Sequence, residues 1–478
     1  EAKLITMPDN SFGFTMDISE KGLDAYNNKI TLYNSLLLDS TGLYVEGNIK
    51  YNTTSLFSEK IRLFPDSISS IVEKGFMLSG NTKKNSFMYP DIEFTNLDFR
   101  FFNEQEDFAF FKYDSILDPN ILGYDGEVEI IGDIYVSSDK VTSYGKIETN
   151  NSSFISDNFS YNQNLIVSEN TSLKLSASNH AKGLMEAEDV FFKYDLAKNK
   201  MEFKSLFFDE RNFIFPEYDL STSLSNVEWL ISTGSIEVNA SSDEIHSVYS
   251  LSNNFYNWDF ISNSFSLDLN TKTINAKGVP DIQVADAYII PENEELYIRE
   301  GFQILPLSNS VLVLDTINEF HRFINSNVSV VTKDKFEGKG VYEYVNFDLD
   351  TFNIPFSQFE LKNVNNNQLT SFSAGDVSEL NPILMEPGFN FYGNIELLAN
   401  SEQLLFNGSI IPSEIEGFNI SNAIPFNEYF VPGDELTLTI SDKDGFYNAA
   451  ISKVSNNLFF DFFNNPVNKK SLVFFNPE

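Results

Sequence analysis

Strict alternation of apolar and polar residues is the feature that most constrains this chain. It runs through "GLYVEGNIKYN", where Leu43, Val45, Gly47, Ile49 and Tyr51 share one parity, and returns in "GEVEIIGDIYVSSDKV" and in "VEWLISTGSIEVNA" with Val227, Trp229 and Ile231. Successive side chains of an extended chain point to opposite faces, so a period of two predicts half-buried strands. Polar clusters such as "NNSS", "SSD" and "NNN" interrupt the alternation every dozen or so residues, which suits short antiparallel strands joined by tight turns. Only "LDTINEFHRFIN", with Leu314, Ile317, Phe320 and Ile324, has helix-like spacing, and it reads equally as an irregular strand. The expected class is all-β with very little helix.

Two stretches share one frame. "FKYDLAKNKMEFKS" from Phe192 and "FSLDLNTKTINAKG" from Phe265 each run apolar, x, apolar, Asp, Leu, four polar or small residues, then apolar, x, apolar, Lys. The frame predicts a hairpin in which Asp195 and Asp268 sit at the strand ends and accept turn amide hydrogens. A looser frame bounded by glycines spans Gly132 to Gly145 and Gly393 to Gly408. Repeated hairpins imply an elongated stack of short antiparallel strands, of the β-solenoid, β-taco or jelly-roll kind. Weak seams near 117–127 and 362–388 divide the chain into an N-terminal β region (1–120), a central hairpin-repeat region (121–365) and a Phe-rich C-terminal region (366–478), or leave one continuous domain.

Forty-seven of the 478 residues are Phe, and doublets recur at Phe101-Phe102, Phe191-Phe192, Phe207-Phe208, Phe459-Phe460, Phe462-Phe463 and Phe474-Phe475. Neighbours in a strand face opposite ways, so a doublet demands either two covered faces or an apolar groove on one of them. In the groove reading, Phe192, Tyr194, Met201, Phe203, Phe265, Leu267 and Ile274 line a shared trough able to hold an acyl chain.

A formal charge of −37, from 32 basic and 69 acidic residues, repels phosphate backbones and makes nucleic acid an unsuitable partner. There is no cysteine, hence no disulfide or thiolate metal site, and no apolar run long enough for a transmembrane helix. The three histidines, His180, His246 and His321, are isolated and form no HExxH pattern. GxSxG, Walker A and strand-associated GxGxxG motifs are missing, and "GKGVYEY" at 338–344 lacks the third glycine. "SDKDG", with Asp442, Asp444 and Gly445, departs from EF-hand register and reads as an acidic turn, as does "PENEEL" at 291–296. No cofactor and no catalytic residue is expected. The chain begins at Glu1, which reads as a mature or excised segment.

Around Ala285-Asp286 and Lys277-Gly278, "FSLDLNTKTINAKGVPDIQVADAYIIPENEELYI" resembles the hairpin repeats of bridge proteins in lipopolysaccharide transport. The wider run from "SLFSEKIRLFPDSISS" to "FEGKGVYEY" resembles large exported envelope proteins of Bacteroidetes. The resemblance implies an open, twisted β-jelly roll or taco with a lipid-binding trough. It also implies export to the periplasm, outer membrane or cell surface, with envelope proteins or lipid as partners. The expected function is a non-catalytic envelope scaffold or bridge. A surface adhesin and a carbohydrate-active β-solenoid enzyme are the alternatives.

Overall fold

The computed structural model describes residues 2–81, 86–103, 108–176, 182–207, 211–240, 245–346, 349–364, 368–386, 389–412 and 423–431, together with four strands of backbone between 436 and 475. Nearly every described segment is strand, and the only helical turns among these residues are four 3-10 turns of three residues each. The strands described here pair antiparallel, as the alternation predicts. "LDTINEFHRFIN" is the end of the strand Leu307–Leu314, a turn over 315–320 and the start of the strand His321–Thr332. Asp315 closes that turn by accepting from the Ile317 amide at 3.0 Å and from Asn318 Nδ2 at 2.7 Å. The chain divides into two compact units, one of residues 1–248 and 264–273, the other of 249–263 and 274–478.

The first unit opens with short strands β1 (Ala2–Thr6), β2 (Phe12–Asp17), β3 (Leu23–Ala25), β4 (Ile30–Leu32) and β5 (Ser35–Asp39). Long strands follow: β6 (Gly42–Tyr51), β7 (Thr54–Leu63), β8 (Ser67–Met77) and β9 (Ile92–Phe102). Two short strands, β10 (Phe108–Lys112) and β11 (Asn120–Gly123), lead to β12 (Val128–Val136), β13 (Val141–Thr149), β14 (Ser152–Asn162), β15 (Leu165–Leu175) and β16 (Met185–Asp195). The segment 117–127, read as a seam, therefore holds β11, which pairs with β9 and β12. Beyond it lie β17 (Lys200–Ser205), β18 (Phe213–Phe215), β19 (Leu220–Thr222), β20 (Asn226–Leu230) and β21 (Ser235–Asn239). β22 (Ser247–Ser250) crosses the boundary at Val248, β23 (Asp259–Ile261) is counted with the second unit, and β24 (Ser264–Asp268) is again in the first.

The long strands do not keep one alternation phase. In β7 the inward residues are Thr54, Leu56 and Ser58, then Ile61; in β14 they are Ser152, Phe154 and Ser156, then Phe159 and Tyr161. An outward polar pair supplies the extra residue at each phase change: Glu59-Lys60 in β7, Asp157-Asn158 in β14, Glu169-Asn170 in β15 and Glu188-Asp189 in β16. The register shifts opposite the first two, between Val45 and Gly47 and between Ser143 and Gly145, mark them as β-bulges. A bulge bends its strand and increases twist, so bulges recurring in neighbouring strands curl a sheet onto itself and turn its inner face into a core.

Serines repair the hydrogen bonding that the bulges of β7 and β14 interrupt. Ser58 Oγ donates to Ile71 O at 2.8 Å and accepts from the Lys60 amide, while Ser156 Oγ donates to Asn170 O at 2.7 Å and accepts from the Asn158 amide at 3.0 Å. The glycine frames have the same origin, because Gly132 stands directly opposite Gly145 and Gly393 opposite Gly408. Gly145 has φ of +131°, and a Cβ on Gly132 would lie 2.0 Å from Tyr144 O. The bend admits only glycine at that crossing.

One face of the first unit carries an unbroken cross-strand ladder. It starts as Leu4–Phe14–Leu38–Leu43–Leu63–Ile68 across β1, β2, β5, β6, β7 and β8. It continues through Phe101, Ala109, Val136, Val141, Tyr161 and Ile166. It ends as Tyr194–Met201–Trp229–Ile236–Leu267 on β16, β17, β20, β21 and β24. Directly opposed residues share a face, so this is the inner face throughout. From Ile68 onward every member is buried.

The second unit is a meander. Strands 307–314, 321–332, 335–345, 351–364 and 368–377 pair in succession, and 389–398, 404–412 and 424–430 continue it. Its core is aromatic, with Phe323 against Tyr342, Phe356 and Phe359 at centroid distances of 5.2, 5.4 and 4.9 Å. The expected seam at 362–388 is here occupied by the strands 368–377 and 383–386.

Candidate functional site

The hairpin frame forms as expected in its first copy, where Phe192 opposes Phe203 and Tyr194 opposes Met201. Both turn carboxylates act as expected: Asp195 accepts from the Lys198 amide at 3.1 Å and Asp268 from the Asn270 amide at 2.8 Å. For Asp195 the hydrogen-bonded Lys198 holds the carboxyl below its ordinary range, and for Asp268 the Asn270 amide does so.

Six of the seven proposed trough residues come together on the inner face of the first unit. Phe192–Phe203–Val227–Val238–Phe265 is one row, and Tyr194–Met201–Trp229–Ile236–Leu267 is the row beside it. Ile274 lies on the strand Thr273–Lys277, counted with the second unit. The open trough is corrected, however, since all seven are between 0 and 5% exposed. Phe154 stacks on Phe192 with centroids 4.4 Å apart, and Phe215 meets Phe265 edge-on at 5.2 Å. The sheet curls until opposite halves of its inner face fill the space an acyl chain would need. Of the doublets, Phe101 and Phe192 are core while Phe102 and Phe191 are half-buried on the other face, where Phe102 stacks on Phe108 at 5.0 Å. Phe208, Phe463 and Asp444 lie outside the described residues.

A concavity of the first unit lies where β16 forks. Its C-terminal half pairs with β17, while at Glu186 it pairs instead with Ile214 of β18. Beside this divergence is a cleft of about 360 Å³, lined by Ile155, Phe207, Lys174, Arg211 and the carboxylates Glu186, Glu188 and Asp189. Glu188 and Asp189 are the bulge pair of β16, and the bulge is what turns both side chains outward. Lys174 Nζ lies 3.3 Å from Glu186 Oε1. Buried Asn212 fixes the wall by donating from Nδ2 to Ser223 O at 2.9 Å, and its Oδ1 accepts from Ser205 Oγ at the same distance. Exposed Phe207 and Ile155 give the cleft an apolar flank. Such a lining suits a polar ligand with one apolar face, hydroxyls meeting the charged groups and C–H bonds meeting the ring. Sequence reasoning missed it because β14, β15, β16 and the segment after β17 contribute together. The one available signal was the outward pair Glu188-Asp189.

The motif residues of the envelope-protein resemblance have structural duties. Asp286 accepts from Thr370 Oγ1 and from the Ser371 amide, both at 2.9 Å, and from Ser371 Oγ at 2.5 Å. It thereby fastens the turn after Val284 to the strand Gln368–Val377. Gly278 has φ of +65° against the Asn263 side chain. His321 is buried, its Nε2 donating to Ser401 O at 2.7 Å and its Nδ1 accepting from Tyr342 Oη at 3.2 Å, and burial lowers its pKa. Among the described residues no group of three or more His, Asp or Glu side chains converges as a metal site. No helix of the described residues is long and apolar enough to cross a membrane. Comparison with protein-family models, with curated proteins and with solved structures finds no match.

Proposed function

We propose that this chain is a non-catalytic, exported scaffold or bridge protein of the bacterial envelope. The observation that carries the reading is the cross-strand ladder from Leu4 to Leu267, in which each strand hands one apolar face to the next and polar side chains are spent on turns and bulges. Such a body resists deformation and offers its outer face and edges to partners. In this reading lipid is a partner at the surface, because the interior rows are filled by the protein's own rings. Purified protein should bind an isolated bacterial envelope fraction saturably, lose that binding when the fraction is treated with protease, and yield no stoichiometric acyl lipid on solvent extraction. Acyl lipid at one equivalent or more, or turnover of an envelope glycan, would overturn the proposal.

The fork cleft favours a second reading, a surface adhesin that holds a saccharide. An exposed ring beside three carboxylates and two cations fits a polyhydroxylated ring better than it fits a lipid. A glycan array probed with the native chain and with Phe207→Ala checks this: signals on some glycans that vanish in the variant support it, and an empty array sinks it.

A further inference from the structure

We propose that β1 is a docking edge for a second copy of this chain, the two copies pairing β1 against β1 antiparallel with Leu4 at the two-fold axis. Three observations carry it. First, the ladder that is buried from Ile68 inward emerges at this end, where Leu43, Leu38, Phe14 and Leu4 are 37, 47, 50 and 61% exposed. Among the described residues nothing covers the inner face of the sheet here. It continues into an apolar groove of about 630 Å³ lined by Leu23, Leu32, Leu36, Leu63 and Phe64. Second, among the described residues β1 pairs only with β2, so alternate amides and carbonyls along its outer side have no strand partner.

Third, the strand is complementary to itself. With Leu4 opposite Leu4 of the second copy, Ala2 faces Thr6 and Lys3 faces Ile5, so no like charges are opposed. Lys3 is in addition neutralised within its own copy by Asp17, Nζ to Oδ2 at 3.6 Å. The area is also sufficient. At their exposures Leu4, Phe12, Phe14, Leu38 and Leu43 present on the order of 500 Å² of apolar side chain, taking roughly 150 to 250 Å² for a large side chain fully exposed. With the edge backbone and the rim of the groove, this approaches the roughly 800 Å² per partner of a stable interface. The curl that closes the sheet elsewhere carries the added strands over the groove, and the two uncovered ladders become one buried ladder.

The absence of cysteine from the sequence makes a sharp test available. Directly opposed residues of an antiparallel pair lie about 4.5 to 5.5 Å apart at Cα, within reach of a disulfide. Leu4→Cys should cross-link to itself under mild oxidation. Thr6→Cys, displaced by about 13 Å from its own copy in this register, should not. Sedimentation of the native chain should show a dimer strengthened from about 50 mM to about 500 mM NaCl, since each copy carries −37 and salt screens the repulsion. Leu4→Asp should weaken the dimer at least about 100-fold by placing a carboxylate in the new core, with an unchanged circular dichroism spectrum because Leu4 is exposed in the single copy. A native chain monomeric at every concentration and salt would overturn the proposal. So would equal cross-linking of both cysteine variants, a dimer indifferent to Leu4→Asp, or stoichiometric acyl lipid held on this groove by the monomer.

Discussion

Phe203 is 2% exposed, opposite both Phe192 and Val227, and stacks on Phe192 at 5.6 Å. Phe203→Asp would force an unpaired carboxylate into that row at several kcal/mol, comparable to the whole stability of a domain. The variant is expected to be unfolded by circular dichroism; a folded variant with a native melting curve would restore the open trough. His321 gives a pH signature. Its imidazole has a depressed pKa when folded and an ordinary one near 6.5 when unfolded, so below about pH 7 the unfolded chain binds the extra proton first. The stabilisation is complete above that value and is lost as pH falls through it toward the folded pKa. In urea titrations between pH 7.5 and 5 the native chain should lose stability, while His321→Gln should show a smaller slope over the same window. Equal slopes would remove His321 from the account.

The bulged strand is the element that distinguishes this sheet from a flat one. In Ser156-Asp157-Asn158 the serine caps the amide two residues on and reaches the Asn170 carbonyl of the neighbouring strand. Ser156→Ala removes the acceptor of the Asn158 amide in a part-buried site, while the Asn170 carbonyl keeps the Ser168 hydroxyl at 3.0 Å, and should cost about 1 to 3 kcal/mol in chemical denaturation. Gly145→Ala should cost about 3 kcal/mol or more, because φ of +131° is closed to residues with a Cβ and the new atom would sit 2.5 Å from Ile131 O. A loss below 1 kcal/mol in either variant would mean that the strands bend for some other reason. The repeat that matters most was in plain view as "SEK" at 58–60, "SDN" at 156–158 and "SEN" at 168–170. Each triplet has the composition of an ordinary polar interruption, and only the strand pairing on either side shows that one strand runs through it.

At the scale of the molecule, charge opposes compactness. Sixty-nine acidic residues against 32 basic ones give a field that folding concentrates, and the ion pairs found, such as Lys193–Glu202 at 2.9 Å and Lys200–Glu228 at 3.0 Å, neutralise only a few. Raising NaCl from about 20 mM to about 300 mM should therefore raise the melting temperature, since screening relieves self-repulsion more than it weakens partly exposed pairs. A falling melting temperature would show that specific pairs outweigh the net field. Alternation, turn carboxylates and the paired-glycine frames were legible in the sequence, because each depends on neighbours within about a dozen residues: Asp195 needs only Lys198, and Gly132 only the hairpin that returns at Gly145. Which face is covered, and by what, was not. Period two assigns Phe192 and Phe203 to one side of a sheet, but whether that side meets solvent, lipid or Phe154 depends on how far the bulges curl strands that lie distant in sequence. The same non-local curl opens the cleft where β16 forks and runs out at β1, leaving Leu4 and Phe14 in water.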